Sequence, residues 1–201
     1  MFKENKDFKW SVIKDNFLTQ DECDKLKYHI KNTRENLGEI PEGIKWNSIL
    51  YNRGDDTDYQ WLVDKAWMNF KLANTLHWKF NIDSIKSVSG LYYPKDEFDG
   101  DYTLHSDFAN GEDETGMDKT TYKLSGILFL NDDFDGGELE ILTGKVEPKV
   151  GRLVMYPSFA AHRPLKYSGG DRFTIIFLVE GDTFVLKISY IVTLESWFNK
   201  L

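Results

Sequence analysis

The chain has 201 residues, 41% of them hydrophobic and 29% charged, with a formal net charge of −8. That length makes one domain or a small pair around a sizeable core, and the acidic balance speaks against general nucleic-acid or anionic-membrane binding while tolerating a basic partner. Cys23 is the only cysteine, which excludes an intrachain disulfide, disfavours thiolate metal sites and fits a reducing compartment.

Met1 to Asp7 is charged and lacks the apolar core of a signal peptide, and no uncharged apolar run approaches a membrane span. The expected setting is the cytoplasm, or the host cytoplasm for a viral chain. Lys9 to Lys14 reads as a short strand. Thr19 with Glu22 three residues on forms a capping box, predicting a helix to about Glu35 with Gly38 as its stop and Cys23, Leu26 and Ile30 facing the core. Residues 39–58, punctuated by Pro41, Gly43 and Gly54, read as irregular around a short strand at Ser48–Tyr51, and are either a substrate-contacting loop or a plain connection. A second helix fits Tyr59 to Trp78, with Trp61, Leu62, Ala66, Phe70, Ala73 and Leu76 on its apolar face. His77 reads as structural and His29 as a solvated helix residue.

From Ile85 the pattern turns to strands. Ser87–Tyr93 is the first, residues 108–120 form an acidic loop placed like a lid, and Tyr122–Leu130 is a second strand. The Gly136-Gly137 pair marks a turn with positive φ. Glu138–Leu142, Arg152–Tyr156 and Arg172–Val179 are further strands. Two helices followed by many closely spaced strands predict an α+β chain, a mostly antiparallel double-stranded β-helix of jelly-roll or cupin-like type with the N-terminal helices packed on its major sheet. The expectation is one domain over 1–201, with helical support in 1–84, the β-helix core in 85–182, and a tail in 183–201 made of a strand and a short helix.

The stretch Tyr102-Thr103-Leu104-His105-Ser106-Asp107 reads as extended, which points side chains i and i+2 the same way. His105 and Asp107 then lie on one side, close enough to grip one metal ion. His162 follows the strand-like run Arg152–Tyr156. Two histidines and one carboxylate are a ligand set for iron(II) that leaves coordination positions open for a cosubstrate and dioxygen. Arg172 opens the apolar run Phe173–Val179, where a cation suits a dicarboxylate.

The ordered motifs carry a resemblance. Tyr92-Tyr93 precedes His105-Ser106-Asp107. Leu124-Ser125-Gly126 leads to Leu130-Asn131-Asp132, then Phe134-Asp135-Gly136-Gly137-Glu138-Leu139. Gly151-Arg152-Leu153-Val154-Met155-Tyr156-Pro157-Ser158 precedes His162 and Arg172. Over about residues 85–180 the chain resembles the iron(II)/2-oxoglutarate-dependent oxygenases, in particular the small prolyl 4-hydroxylase-like branch of bacteria, phages and animals.

The resemblance implies that His105, Asp107 and His162 are the catalytic iron(II) ligands and that 2-oxoglutarate and O2 are cosubstrates. It implies a bidentate pair between Arg172 and the far carboxylate of 2-oxoglutarate, with the Thr174 hydroxyl donating to the same group. Tyr93 would reach the cosubstrate's other end, with Tyr92 and Tyr102 as alternatives. The implied reaction hydroxylates a C–H bond, with release of succinate and CO2. The favoured substrate is a prolyl residue of a peptide or protein; a free amino acid or another small molecule stays open. Two readings from other classes also stand. One is a cupin-like metal enzyme without 2-oxoglutarate. The other is a non-catalytic β-sandwich binding module.

Overall fold

The structure, a computed structural model, describes residues 8–33, 46–95, 103–108, 110–112, 118–142 and 144–182. Gly38, the 39–45 part of the first loop, Tyr102, the centre of the acidic loop and the 183–201 tail lie outside the described residues.

In chain order the elements are β1 (Val12–Lys14), α1 (Gln20–Asn32), β2 (Trp46–Asn52), α2 (Gln60–Ala73), β3 (Ser84–Tyr93), β4 (Asn110–Glu112), β5 (Asp118–Phe129), β6 (Asp135–Gly136), β7 (Leu139–Ile141), β8 (Gly144–Val146), β9 (Leu153–Pro157), β10 (His162–Pro164), β11 (Tyr167–Ser168) and β12 (Arg172–Gly181). The major sheet has seven strands in the order β1-β9-β5-β12-β3-β2, with β4 added to β5, and all its pairs are antiparallel. Facing it are a three-stranded sheet, β10-β7-β8, and the two-stranded β11-β6. This is the expected helix-backed β-helix.

Helix α1 begins as its sequence dictates. The Thr19 hydroxyl accepts from the Glu22 amide, and the Glu22 carboxylate accepts from the Thr19 amide at 2.7 Å. The helix stops at Asn32, three residues before the expected end, because Thr33 turns to extended backbone and caps it through its N–H to the His29 carbonyl. Cys23, Leu26 and Ile30 are buried as predicted.

Helix α2 buries Leu62, Val63, Ala66, Phe70 and Ala73. Trp61 and Leu76, both expected on that face, are 40% and 62% exposed. Trp61 falls a helical step outside the stripe. Leu76 lies in a π-turn, Asn74–Trp78, that closes the helix; the wider turn rotates the last residues out of register with the stripe before them. The N-terminal segment is also more than a helical support, since β1 and β2 supply both edges of the major sheet. The described ends of the acidic loop are strands: β4 pairs with β5, which already begins at Asp118.

Strand register sorts the side chains of the sheet, since directly opposite residues share a face. Phe173 faces Tyr92, Ile175 faces Gly90 and Leu128, and Leu128 faces Leu153. These turn to the helices and form the larger core with Ile30, Leu62 and Phe70. Two glycines let the helices settle: a Cβ on Gly90 would come within 2.5 Å of the Ile30 side chain, and one on Gly126 within 2.7 Å of Phe70. The other face carries Arg172 opposite Tyr93, Thr174 opposite Leu91 and Phe129, Ile176 opposite Ile127, and Ser125 opposite Tyr156. It looks toward the small sheets.

Candidate metal centre

His162 opens β10, where it pairs with Ile141 of β7. The segment 103–108 is fastened to it by one bridge, in which the His105 N–H donates to the His162 carbonyl at 3.1 Å and the His162 N–H to the His105 carbonyl at 2.8 Å. That reciprocal pair brings the two imidazoles together, with ring centroids 4.5 Å apart.

Each imidazole is oriented by a carbonyl. His105 Nδ1 lies 2.9 Å from the Thr103 oxygen, and His162 Nδ1 lies 3.0 Å from the Ala160 oxygen. A carbonyl only accepts, so each Nδ1 carries the proton and each Nε2 keeps its lone pair. The Asp107 carboxylate faces both lone pairs, Oδ1 at 3.8 Å from His105 Nε2 and Oδ2 at 3.5 Å from His162 Nε2. The three ligand atoms lie within 4.8 Å of one another, a spacing that one bound cation spans.

Burial of His162 pushes its pKa below the ordinary histidine value, against the pull of Asp107, and so favours the neutral ligand form. The three groups fit an oxygen- and nitrogen-ligated ion such as iron(II), with carbonyls behind both histidines as such sites use. His105 is the open side of the cluster: its side chain is 40% exposed against 3% for His162.

The other predicted residues collect on the inner face of β3 and β12. Arg172 is 2% exposed. Its guanidinium carbon sits 4.8 Å from the Tyr93 ring centroid and 5.8 Å from that of Phe129. Its Nε has no hydrogen-bond partner, and among the described residues no carboxylate pairs with it. The neighbouring Asp171 is committed elsewhere, to Lys31, the Tyr92 hydroxyl and the Lys95 amide. Burying a cation without an anion is costly, so this pocket is chemically shaped for an anion.

The Tyr93 phenol is pushed up by burial, partly offset by the Arg172 and Thr174 side chains that hydrogen-bond to it. Tyr93, Arg172 and Thr174 therefore form one group, which sets Tyr93 beside the arginine rather than at the opposite end of the cosubstrate, where it was expected. Tyr92 does not join them: it points to the helices, stacked on Phe173 at 4.5 Å. His77 lies beside Trp78 at the end of the second helix, away from the triad, and His29, on α1, is half-buried against Tyr59.

One inner-face residue was not singled out from sequence. Tyr156 is fully buried, packs its ring 4.6 Å from that of His162, and holds its hydroxyl 3.5 Å from Asp107 Oδ2. Burial and then Asp107 raise its pKa well above the phenol range, so it stays a donor. Alternation along β9 carries the signal, since Leu153 and Met155 face the helices and Val154 and Tyr156 face the site.

Comparison with known proteins agrees with this geometry. Residues 90–180 match the model of the 2OG-Fe(II) oxygenase superfamily. No curated protein matches the sequence. Among solved structures the chain is similar to the viral collagen prolyl hydroxylase of Paramecium bursaria Chlorella virus-1 in its 2OG complex, with 17% identity, TM-score 0.64, and 86% of this chain and 97% of that one covered. It is similar to a Pseudomonas putida prolyl-4-hydroxylase, with 22% identity, TM-score 0.61 and coverage of 85% and 91%. It is also similar to a Trichoplax adhaerens prolyl hydroxylase in complex with a hypoxia inducible factor oxygen degradation domain peptide fragment, with 17% identity, TM-score 0.63 and coverage of 89% and 85%. The match speaks against the cupin-like enzyme without 2-oxoglutarate and the non-catalytic module. Residues 90–180 thus resemble the 2OG-Fe(II) oxygenase superfamily on a fold shared with small prolyl 4-hydroxylases, and the His105, Asp107 and His162 set supports iron(II), with 2-oxoglutarate and O2 as cosubstrates.

Proposed function

We propose that the chain hydroxylates a prolyl residue of a peptide or protein, with His105, Asp107 and His162 as the iron ligands and Arg172 as the cosubstrate anchor. The observation that carries this is a buried guanidinium short of an anion on the inner face that also carries Tyr156, the neighbour of the triad. When bound, iron(II) couples oxidative decarboxylation of 2-oxoglutarate by O2, giving succinate and CO2, to insertion of the second oxygen atom into a substrate C–H bond.

The protein's part is positioning and protection. Nδ1–H donors to Thr103 and Ala160 hold both imidazoles in the ligand tautomer. Arg172 forms a bidentate pair with the far carboxylate of 2-oxoglutarate, and Thr174 and Tyr93 donate hydroxyls beside it. Ile127, Phe129, Ile141 and Val154, all buried, keep water from the reacting atoms. The prolyl assignment draws on the fold shared with prolyl hydroxylases and on the sequence resemblance. No described helix is long and apolar enough to cross a membrane, and the net charge of −8 suits a basic peptide over nucleic acid.

The test is a screen of proline-containing peptides, basic ones first, with iron(II), 2-oxoglutarate and ascorbate. Peptide gaining one oxygen at proline, with stoichiometric succinate, is expected. Succinate coupled only to free amino acids or other small molecules would overturn the substrate assignment. Succinate output unchanged in Asp107→Ala would overturn the ligand assignment.

A further inference from the structure

We propose that Asn131 is the positioning residue for Arg172, setting affinity for the 2-oxoglutarate carboxylate without touching it. This rests on the reading of Arg172 as the anchor. The Leu130-Asn131-Asp132 motif follows β5, and Asn131 is 6% exposed. Strand β12 pairs with β3 from Arg172 onward, but with β5 only from Thr174 onward. On the β5 side the Leu130 N–H still reaches the Phe173 carbonyl at 3.1 Å, but the Asp171 carbonyl and the Phe173 N–H, on either side of Arg172, lie beyond the ladder.

The Asn131 carboxamide supplies one. Its Oδ1 accepts from the Phe173 N–H at 2.9 Å, and its Nδ2 donates to the Asp171 carbonyl at 2.7 Å. The two bonds bracket Arg172, fixing the peptide groups before and after it. The Asp133 carboxylate accepts from the same Nδ2 at 2.5 Å, which fixes which end of the amide points where. The guanidinium itself packs against the Tyr93 and Phe129 rings and hydrogen-bonds to the Tyr93 hydroxyl, with Nε unpartnered among the described residues. Backbone placement then sets where this long side chain starts, and a bidentate pair is demanding of aim.

The molecule contains a matched control. Asn74, 7% exposed, makes the same pair of bonds at the end of α2: Nδ2 to the Phe80 carbonyl at 2.8 Å, and Oδ1 from the Phe80 N–H at 2.9 Å. It lies on the helix layer and serves no site residue. Removing either carboxamide deletes the same chemistry, so only a positioning role separates the two.

The experiment titrates Mn(II), and then 2-oxoglutarate in saturating Mn(II), by calorimetry on the full chain, its Asn131→Ala, Asn131→Asp, Asn74→Ala and Arg172→Ala variants. Asn131→Ala should weaken 2-oxoglutarate about tenfold, as loss of two buried hydrogen bonds allows, with Mn(II) affinity changed less than about twofold. Asn131→Asp keeps the acceptor for Phe173 and should fall between, serving also if the alanine variant does not fold. Asn74→Ala should leave both affinities unchanged. Unchanged 2-oxoglutarate affinity in the Asn131 variants, or an equal loss in Asn74→Ala, would overturn the inference while Arg172→Ala still weakens binding. Undiminished affinity in Arg172→Ala would overturn the anchor reading and this inference with it.

Discussion

The triad and Arg172 lie on the same side of the major sheet but are built by different means. His105 and Asp107 ride on a loop segment held to β10 by a single backbone bridge, and the His105 side chain is 40% exposed. Arg172 starts a ten-residue central strand and is 2% exposed. An exchangeable ion needs a way in and ligands that settle around it. A charge that must recognise one carboxylate repeatedly is better set into the sheet. The contrast teaches that register secures the cosubstrate end, while two reciprocal backbone hydrogen bonds secure the metal end.

The comparison breaks most sharply at the ligands. Asp107→Ala or His162→Ala should reduce turnover below about one per cent, since losing a ligand costs more than the roughly ten- to hundredfold of losing a group behind it; metal content and succinate assays check this. Arg172→Ala should spare metal binding and weaken 2-oxoglutarate about a hundredfold, as expected when one partner of a buried charge pair is removed. Arg172→Lys should recover only part, because an ammonium cannot form the planar fork. A cut on the opposite face sharpens the contrast: Phe70→Ala, beneath Gly126, should cost about 3–5 kcal/mol of stability yet leave metal and cosubstrate affinities near those of the parent wherever the protein is folded. Tyr156→Phe removes only the hydroxyl near Asp107 and should weaken metal about threefold. Smallest of all, Cys23, on the buried face of α1 with its thiol pushed up to about 11 by burial, should resist alkylation near neutral pH until the protein unfolds.

Much of this was legible in the chain itself. The His105–Asp107 pair and the capped first helix depend on local spacing, which a sequence displays, while His162 and Arg172 were reached through the ordered motifs that carry the resemblance. Tyr92 and Tyr93 show the limit. Adjacent strand residues point to opposite faces, and which face is inner depends on pairing with β12, a contact some eighty positions away in the chain. Tyr102, the third candidate, lies outside the described residues. Leu76 was misplaced because a π-turn leaves no periodic trace. Asn131 reads as an ordinary turn former; its bonds to residues 171 and 173 exist only once β5 and β12 are neighbours. The pairing of β4 with β5 was hidden by its polar composition, since the apolar alternation that marks a strand is weak at a sheet edge.

The most direct test of the central claim is a thermal melt with Mn(II), with and without 2-oxoglutarate, on the parent and on Arg172→Ala. Ligands bound only by the folded state raise the midpoint. The parent should rise with Mn(II) and rise again with 2-oxoglutarate; Arg172→Ala should keep the first rise and lose the second. No response of the parent to metal, or a second rise of equal size in Arg172→Ala, would contradict the pairing of a metal triad with a buried carboxylate anchor.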